Sequence, residues 1–485
     1  MSDNITGQGV SQFQHNNPEP TDPHKYAGEN DYTLKEIIIK SPSGGDVDVS
    51  GEGVLISCSI YEDLFSNTMS ASLSFMDTNN IVKHLPIIGQ NEKLTITFKL
   101  PWENSEIKEL TYEFEIYRVS LRKISSVGKR QVVTLKAVSE SQFKNIHTKI
   151  SKSYYDTIDG MVEEICKDYL GIEKSKNDKN SDGTNLEILE KTDSEKRKFI
   201  IPNWRPFDAI NWLAERASAE GNGKACHYIF YQNRDGYKFT TVEKLFKVDT
   251  PRMEYLYMPR TYRETPTRFR DVGHEMRNIQ RLTFEEPGDR LNENIEGMYG
   301  SKILTHDIVT KKYEVTSFKL KDEWDETAHT ESDYPICRNL DKYSNEEDTV
   351  FSFCPIHKNL NMENDRGGET VEQNEKYKEW LLRRKSLLKQ LSTHIIKVNV
   401  SGDSRRSCGD IVFIKFTPLE PGEEKPLPTD NYITGKYLVT SINHVITRQG
   451  YEMNMELSKD SVSEPYPVSS NFLRSQDDSA SSSIA

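Results

Sequence analysis

Apolar and polar positions alternate with a period of two through the first part of the chain. In Met69-Ser70-Ala71-Ser72-Leu73-Ser74-Phe75, the residues Met69, Ala71, Leu73 and Phe75 fall on one side of an extended strand, with hydroxyls on the other. Leu94-Thr95-Ile96-Thr97-Phe98, Tyr112-Glu113-Phe114-Glu115-Ile116 and Val133-Thr134-Leu135-Lys136-Ala137 repeat the pattern, and several such strands in about 90 residues predict a small barrel or sandwich. After residue 150 the spacing becomes helical. Ile158, Met161, Val162, Ile165 and Tyr169 run up to Gly171, a natural C-terminal cap, and Phe207, Ile210, Leu213, Ala214 and Ala217 follow Pro206, which suits a first helical turn. A hairpin is expected where His227-Tyr228-Ile229-Phe230-Tyr231 and Tyr237-Lys238-Phe239 flank Asp235-Gly236. A helix over 373–392 carries Tyr377, Trp380, Leu381, Leu387, Leu388 and Leu391, with Arg384 interrupting the stripe. Strands return at 395–400, 411–416, 437–442 and 451–457.

The two strand-rich regions follow the same order. Leu94 to Phe98 leads to Tyr117-Arg118-Val119-Ser120 and then Val132-Val133-Thr134-Leu135. Ile411 to Phe416 leads to Tyr437-Leu438-Val439-Thr440 and then Tyr451-Glu452-Met453-Asn454-Met455. Nineteen positions separate Phe98 from Tyr117 and 21 separate Phe416 from Tyr437, so the chain reads as two copies of one unit. The organisation expected is a flexible arm at 1–31, a first tube-like β-barrel at 32–141, and an α+β domain at 142–250 whose 173–196 stretch is a long loop. A second barrel is split between 251–310 and 393–462, an irregular and helical segment is inserted at 311–392 with 320–370 acidic, and a flexible tail occupies 463–485. The fold class is thus α+β and β-rich.

A length of 485 residues allows several cores, and 35% hydrophobic with 29% charged residues is a soluble globular composition. The formal charge of −13 argues against a general nucleic-acid binder, and the short basic runs Arg383-Arg384-Lys385 and Arg405-Arg406 read as solvated faces or protein contacts. No apolar run approaches the roughly 18 residues needed to span a bilayer, and the polar start lacks a signal peptide's apolar stretch. Cys58, Cys166, Cys226, Cys337, Cys354 and Cys408 are too scattered for a disulfide framework, which fits a reducing cytoplasm.

Motifs of catalysis are mostly missing. His274-Glu275-Met276-Arg277-Asn278 has Asn where a zincin's second His ligand would stand, and Cys354-Pro355-Ile356-His357, even with Cys337 upstream, lacks a second ligand pair. Cys226 and His227 lead into a strand that turns them to opposite faces, and no nucleophile elbow or phosphate-cradling loop occurs. The expectation is a protein without catalytic, cofactor-binding or metal-binding residues, hence no enzyme and no cofactor.

Ordered blocks carry a family resemblance. Leu85-Pro86-Ile87-Ile88-Gly89-Gln90-Asn91-Glu92-Lys93-Leu94, Phe143-Lys144-Asn145-Ile146-His147, Ile201-Pro202-Asn203-Trp204-Arg205-Pro206-Phe207 and Gly435-Lys436-Tyr437-Leu438-Val439-Thr440-Ser441-Ile442-Asn443-His444 together resemble the baseplate hub proteins of contractile phage tails, over about residues 50 to 462. The resemblance implies two similar barrels per subunit and a homotrimeric ring that joins the six-fold tail tube to a three-fold central spike, with a channel for DNA. The partners implied are a second and third copy of the chain, a trimeric spike protein, tube or tube-initiator proteins, a tape measure protein and baseplate wedge proteins. DNA would pass without specific binding. The place implied is the virion's tail baseplate, assembled in the host cytoplasm. The hub of a related contractile injection or type VI secretion particle is the alternative, and a peptidoglycan hydrolase a more distant one.

Overall fold

A computed structural model describes residues 33–42, 45–51, 54–77, 92–99, 110–124, 130–174, 185–220, 225–248, 250–257, 276–285, 290–308, 311–332, 348–356, 377–416, 430 and 432–463. The chain opens with β1 (Thr33–Ser41), β2 (Gly45–Asp48), β3 (Leu55–Asp63), β4 (Ser70–Asp77), β5 (Lys93–Lys99), β6 (Leu110–Ile124) and β7 (Gln131–Val138). A mixed segment follows: α1 (Glu140–His147), β8 (Ile150–Asp156), α2 (Ile158–Ile165), β9 (Leu186–Ile188), β10 (Arg197–Trp204), α3 (Pro206–Glu215), β11 (Tyr228–Asn233), β12 (Gly236–Thr241) and α4 (Val242–Phe246). After β13 (Glu254–Tyr257) and β14 (Arg281–Phe284) come α5 (Arg290–Ile295), β15 (Gly300–Asp307), β16 (Tyr313–Lys319), α6 (Leu320–Glu323), β17 (Phe351–Ile356) and α7 (Tyr377–Gln390). The last strands are β18 (His394–Ser401), β19 (Ile411–Phe416), β20 (Gly435–Thr447) and β21 (Gly450–Lys459).

Thirteen of these strands form one sheet in the order β14-β18-β21-β20-β3-β4-β7-β6-β5-β1-β2, with β19 also on β20 and β13 on β19. The alternation read from the sequence sets its faces: Ala71, Leu73 and Phe75 of β4 are buried while the serines between them are partly exposed. The apolar face is rolled inward. Phe98 of β5 packs edge-on against Tyr451 of β21 with ring centroids 5.4 Å apart, although six strand steps in a flat sheet would separate those two strands by roughly 29 Å. One core therefore runs from Ile37 and Phe75 to Val412 and Leu457. The expected pair of closed barrels is corrected accordingly. Among the described residues neither strand set closes on itself, because β3 takes β20 as its edge partner and the two sets merge into a single rolled sheet.

The roll brings backbone very close to an aromatic ring. The Gly402 amide donates to the Tyr451 carbonyl at 2.9 Å, and a Cβ on Gly402 would lie 2.1 Å from the Tyr451 ring. Gly402→Ala is expected to destabilise the protein by roughly 3 kcal/mol through overpacking, seen as a lower melting temperature by circular dichroism. An unchanged melt would mean that the ring moves aside freely.

Three small sheets accompany the large one. Strands β8 and β10 pair antiparallel, and β11 and β12 form the expected hairpin, with Gly236 at φ 122 in the turn. Helices α2 and α3 pack over both sheets through Met161, Val162, Ile165, Ile210 and Leu213, and Gly171 at φ 70 ends the first helical run as expected. The 173–196 stretch is not all loop: β9 lies within it and pairs in parallel with β12. The acidic 320–370 segment likewise contains α6 and β17, and β17 joins β15 and β16 in the third sheet. The arm at 1–31, the tail from 464 onward, Cys337, His357, His274 and Glu275 lie outside the described residues.

A candidate assembly interface

The strand order β5-β6-β7-β4-β3 recurs as β19-β20-β21-β18-β14, every neighbour antiparallel. Register makes the correspondence residue by residue. Lys93 faces Glu115 as Ile411 faces Leu438, so Leu94, Ile96 and Phe98 correspond to Val412, Ile414 and Phe416, and all six are buried. The next strand corrects the sequence alignment. The bulge between Ile116 and Arg118 matches that between Val439 and Ser441, so Tyr117 corresponds to Thr440 and not to Tyr437. The first strands differ as well, since β1 is antiparallel to β5 and β13 parallel to β19.

The two sets meet through β3 and β20, where Ser59 lies opposite Val445, Ile60 opposite His444 and Cys58 opposite Ile446. Register carries these positions to the other ends of the two sets. Cys58, Ser59 and Ile60 correspond to Leu282, Thr283 and Phe284 of β14, while His444, Val445 and Ile446 correspond to Arg122, Lys123 and Ile124 of β6. Among the described residues no strand covers the outer edge of β14 or of residues 118–124 in β6. The exposures follow: Ile60 is 0% exposed but its counterpart Phe284 is 50% exposed, and Tyr117 and Leu121 on β6 are 49% and 45% exposed. Among the described residues, two open edges of matching register thus stand seven strand steps apart in one sheet.

Buried charge fixes the closed junction. The Glu62 carboxylate, 1% exposed, accepts the Cys408 amide at 2.9 Å and the Arg234 amide at 3.2 Å. Leu64, just past β3, donates its amide to the Thr440 carbonyl at 2.9 Å. The Arg405-Arg406 run is not a solvated face, because both guanidinium groups turn back to Asp403 at 2.8 and 3.4 Å and Arg406 is 6% exposed. Burial pushes the Asp403 carboxyl up, but the two arginines outweigh it and hold it below the usual range.

The run Arg383-Arg384-Lys385 is corrected in the same way. Arg383 binds Glu323 through two nitrogens at 2.6 and 3.0 Å. Arg384 points inward from α7 and donates to the Ala214, Cys226 and Tyr228 carbonyls at 3.3, 3.2 and 3.0 Å. His227 bridges the same place, with Nδ1 2.9 Å from Glu243 and Nε2 3.0 Å from the Arg384 carbonyl. Burial pushes the Glu243 carboxyl up, yet the His227 ring holds it below its usual value. Cys226 turns away toward the Trp380 carbonyl, and burial raises its thiol pKa, so no thiolate–imidazole pair forms.

His394 and Lys459 face each other at the start of β18. Burial, helped by Lys459 and opposed by Asp460, lowers the His394 pKa from 6.5 to about 4. A depressed folded-state pKa contributes stability that is complete above pH 6.5 and is lost as the pH falls through 4. The parent should therefore lose roughly 3 kcal/mol more than His394→Asn between those values, measured by urea unfolding at each pH. Parallel pH profiles would refute the assignment.

Among the described residues no group of three or more His, Cys, Asp or Glu could hold a metal ion, and no helix is long and apolar enough to cross a membrane. Cys354 is partly exposed on β17. No family model and no curated protein matches the chain. Among solved structures it is similar to a tail protein from Neisseria meningitidis MC58, at 10% identity and a TM-score of 0.50, covering 90% of this chain and 97% of that one. A 43 kDa tail protein of prophage MuSo2 from Shewanella oneidensis, at 12% identity and a TM-score of 0.47, covers 88% of this chain and 99% of its own. A type VI secretion component of E. coli, at 10% identity and a TM-score of 0.40, covers 90% of this chain and 78% of its own. The blocks that resemble baseplate hub proteins in sequence thus lie in a chain whose fold is similar to that of a tail protein.

Proposed function

We propose that this chain is a structural subunit of a phage tail baseplate, a central hub in which three copies close a ring between a six-fold tail tube and a three-fold spike. The observation that carries the reading is the duplicated strand set with one junction closed within the chain and, among the described residues, the matching junction left open at β14 and β6. If β14 of one copy meets β6 of the next as β3 meets β20, Phe284 lies opposite Arg122, Thr283 opposite Lys123 and Leu282 opposite Ile124. Such a head-to-tail contact is heterologous, and it closes when six alike sets complete a turn, which takes three chains. The role asks for edges and faces, and for no catalytic step.

In that ring the side of the sheet away from the core lines the bore. Tyr61, Asn443, Asn454, Asn399 and Arg281 form a continuous row across five strands, and Asp63, Ser441, Glu456, Lys397 and Thr283 form the next. Asn399 donates to Asn454 at 2.9 Å, and Lys397 lies 2.6 Å from Glu285 and 3.6 Å from Glu456, so these charges are internally matched. These rows of amides, hydroxyls and paired charges offer duplex DNA few free cations, while the same face of the first strand set carries Lys136 opposite Arg118. Tube, tape measure, wedge and spike proteins would be the partners, and the virion tail baseplate the location.

Light scattering on the purified chain, alone and with a candidate spike protein, tests the reading. A mass of three chains is expected; a single-chain mass under both conditions would refute it. Filter binding of duplex DNA at low salt should give no retention by the assembled ring.

A further inference from the structure

The open junction differs from the closed one in charge. On the outward side of the closed junction Tyr61 faces Asn443, with Ser441 and Val445 to either side of Asn443 along β20. Register puts Glu285 at the position of Tyr61, because the Glu285 amide donates to the Ile395 carbonyl one step beyond the Phe284 and Ile396 pair. It puts Arg118, Leu121 and Lys123 at the positions of Ser441, Asn443 and Val445. One open edge thus carries a carboxylate and the other two cations, where the closed junction has none of the three. All three side chains are exposed.

These charges are poorly matched within their own chain. Arg118 stands directly opposite Lys136, and like charges at facing positions of an antiparallel pair repel each other. Among the described residues no carboxylate forms an ion pair with Arg118 or Lys123. Glu285 holds Lys397 at 2.6 Å, but the same ammonium lies 3.6 Å from Glu456, so two carboxylates share one cation and a negative excess remains.

Pairing β14 of one copy with β6 of the next, in the register of the closed junction, sets Glu285 opposite Leu121 and makes Arg118 and Lys123 its diagonal neighbours. Diagonal positions in such a pair are about 7 to 8 Å apart, within reach of long side chains. Arg281 flanks Lys123 on its other side and offsets part of that attraction, so Arg118 is the stronger partner. The same charges oppose a wrong pairing. Residues 118–123 include Arg118, Arg122 and Lys123 and no carboxylate, so two β6 edges repel each other.

Resting on the ring reading, we propose that closure of the ring is directed by charge: the Glu285 carboxylate of one copy lies between Arg118 and Lys123 of the next. The occupant of each open edge is a second copy of this chain, and the complementary charges set head-to-tail order. The contact relieves the repulsion between Arg118 and Lys136 and, being exposed, is screened by salt.

Sedimentation of the full chain over a range of concentrations, at about 0.05 M and about 0.5 M salt, tests this. Assembly of the parent should weaken at the higher salt; assembly indifferent to salt would overturn the proposal. Glu285→Lys, and separately Arg118→Glu/Lys123→Glu, should each raise the concentration for half-assembly at least about tenfold at low salt, with circular dichroism unchanged. A chain carrying all three changes has the charges exchanged and should assemble nearly like the parent. If the single-edge variants come apart and the exchanged chain does not recover, the carboxylate and the cations do not meet, and the proposal fails with the ring intact. It fails in the same way if both single-edge variants assemble like the parent. Lys397→Met strips Glu285 of its partner within the chain and should assemble at least as well as the parent; weaker assembly would mean that Glu285 serves to brace its own sheet. A parent that stays single at every concentration, with and without spike, removes the ring and this contact together.

Discussion

A chain carrying Thr283→Cys together with Lys123→Cys is expected to run as a covalent trimer on a non-reducing gel after mild oxidation, and as a single chain after reduction. The two positions correspond to Ser59 and Val445, which face each other across the closed junction. Directly opposed positions in an antiparallel pair have Cβ atoms about 4.5 to 5.5 Å apart, close to the spacing a disulfide needs. Because β14 and β6 of one chain stand seven strand steps apart in the sheet, each bond is expected to link different copies, and three bonds complete the ring. Moving one cysteine to Arg122 turns its side chain to the other face of β6 and should abolish the link. Equal cross-linking from positions 122 and 123 would refute the register, and none from either would refute the edge pairing. The five described native cysteines supply their own control, since only Cys354 is accessible and the Cys58 thiol, for one, is pushed up to about 12 by burial.

The second large effect is expected at α7. Arg384→Leu removes the donors that satisfy three carbonyls drawn from α3, from β11 and from the chain between them. It also unseats the helix whose own carbonyl receives His227. Stranding buried acceptors and breaking a charge-assisted network should cost about 3 kcal/mol or more, measured as a lower midpoint in urea. The milder change Arg384→Lys should recover part of that loss, because all three bonds leave the single nitrogen Nη1 and an ammonium also carries three donors on one nitrogen. A midpoint like the parent's would show that solvent takes over these carbonyls.

How far the sequence foretold this depends on whether a feature is written locally. The strands with strict alternation, such as Ser70 to Phe75, and the helices marked by Pro206 and Gly171 are legible because period and cap are local properties. The three residues of β9 show no period, and what makes them a strand is β12 alongside. The merger of the two strand sets was invisible for a related reason: β3 looks like any half-buried strand, and nothing in it names β20 as its partner. Arg384 read as a solvent-facing break in an apolar stripe because its three acceptors come from distant stretches of chain. The Tyr117 and Tyr437 match failed because the connection is longer in the second set, with 24 positions from Phe416 to Thr440 against 19 from Phe98 to Tyr117, and pattern counting had no pairing by which to see it. Arg118, Val119 and Ser120 of β6 stand in a strand that the sequence predicts, but nothing there marks an open edge; β14 is four residues long, and its exposure becomes meaningful only beside its buried counterpart.

The union of β3 with β20 also governs how the chain is born. Glu62 and the Cys408 amide that it holds are 346 positions apart, and β20 lies further on still. At about 5 to 20 residues per second of synthesis, β3 emerges from the ribosome and waits on the order of 20 to 80 seconds for the strand that will cover it. During that interval the nascent chain displays an unpaired edge, and two neighbouring polysomal chains can satisfy each other's β3 before either has made its own β20. Translation speed over residues 64–440 thereby becomes a determinant of yield, and slowing it should favour entangled chains over native ones.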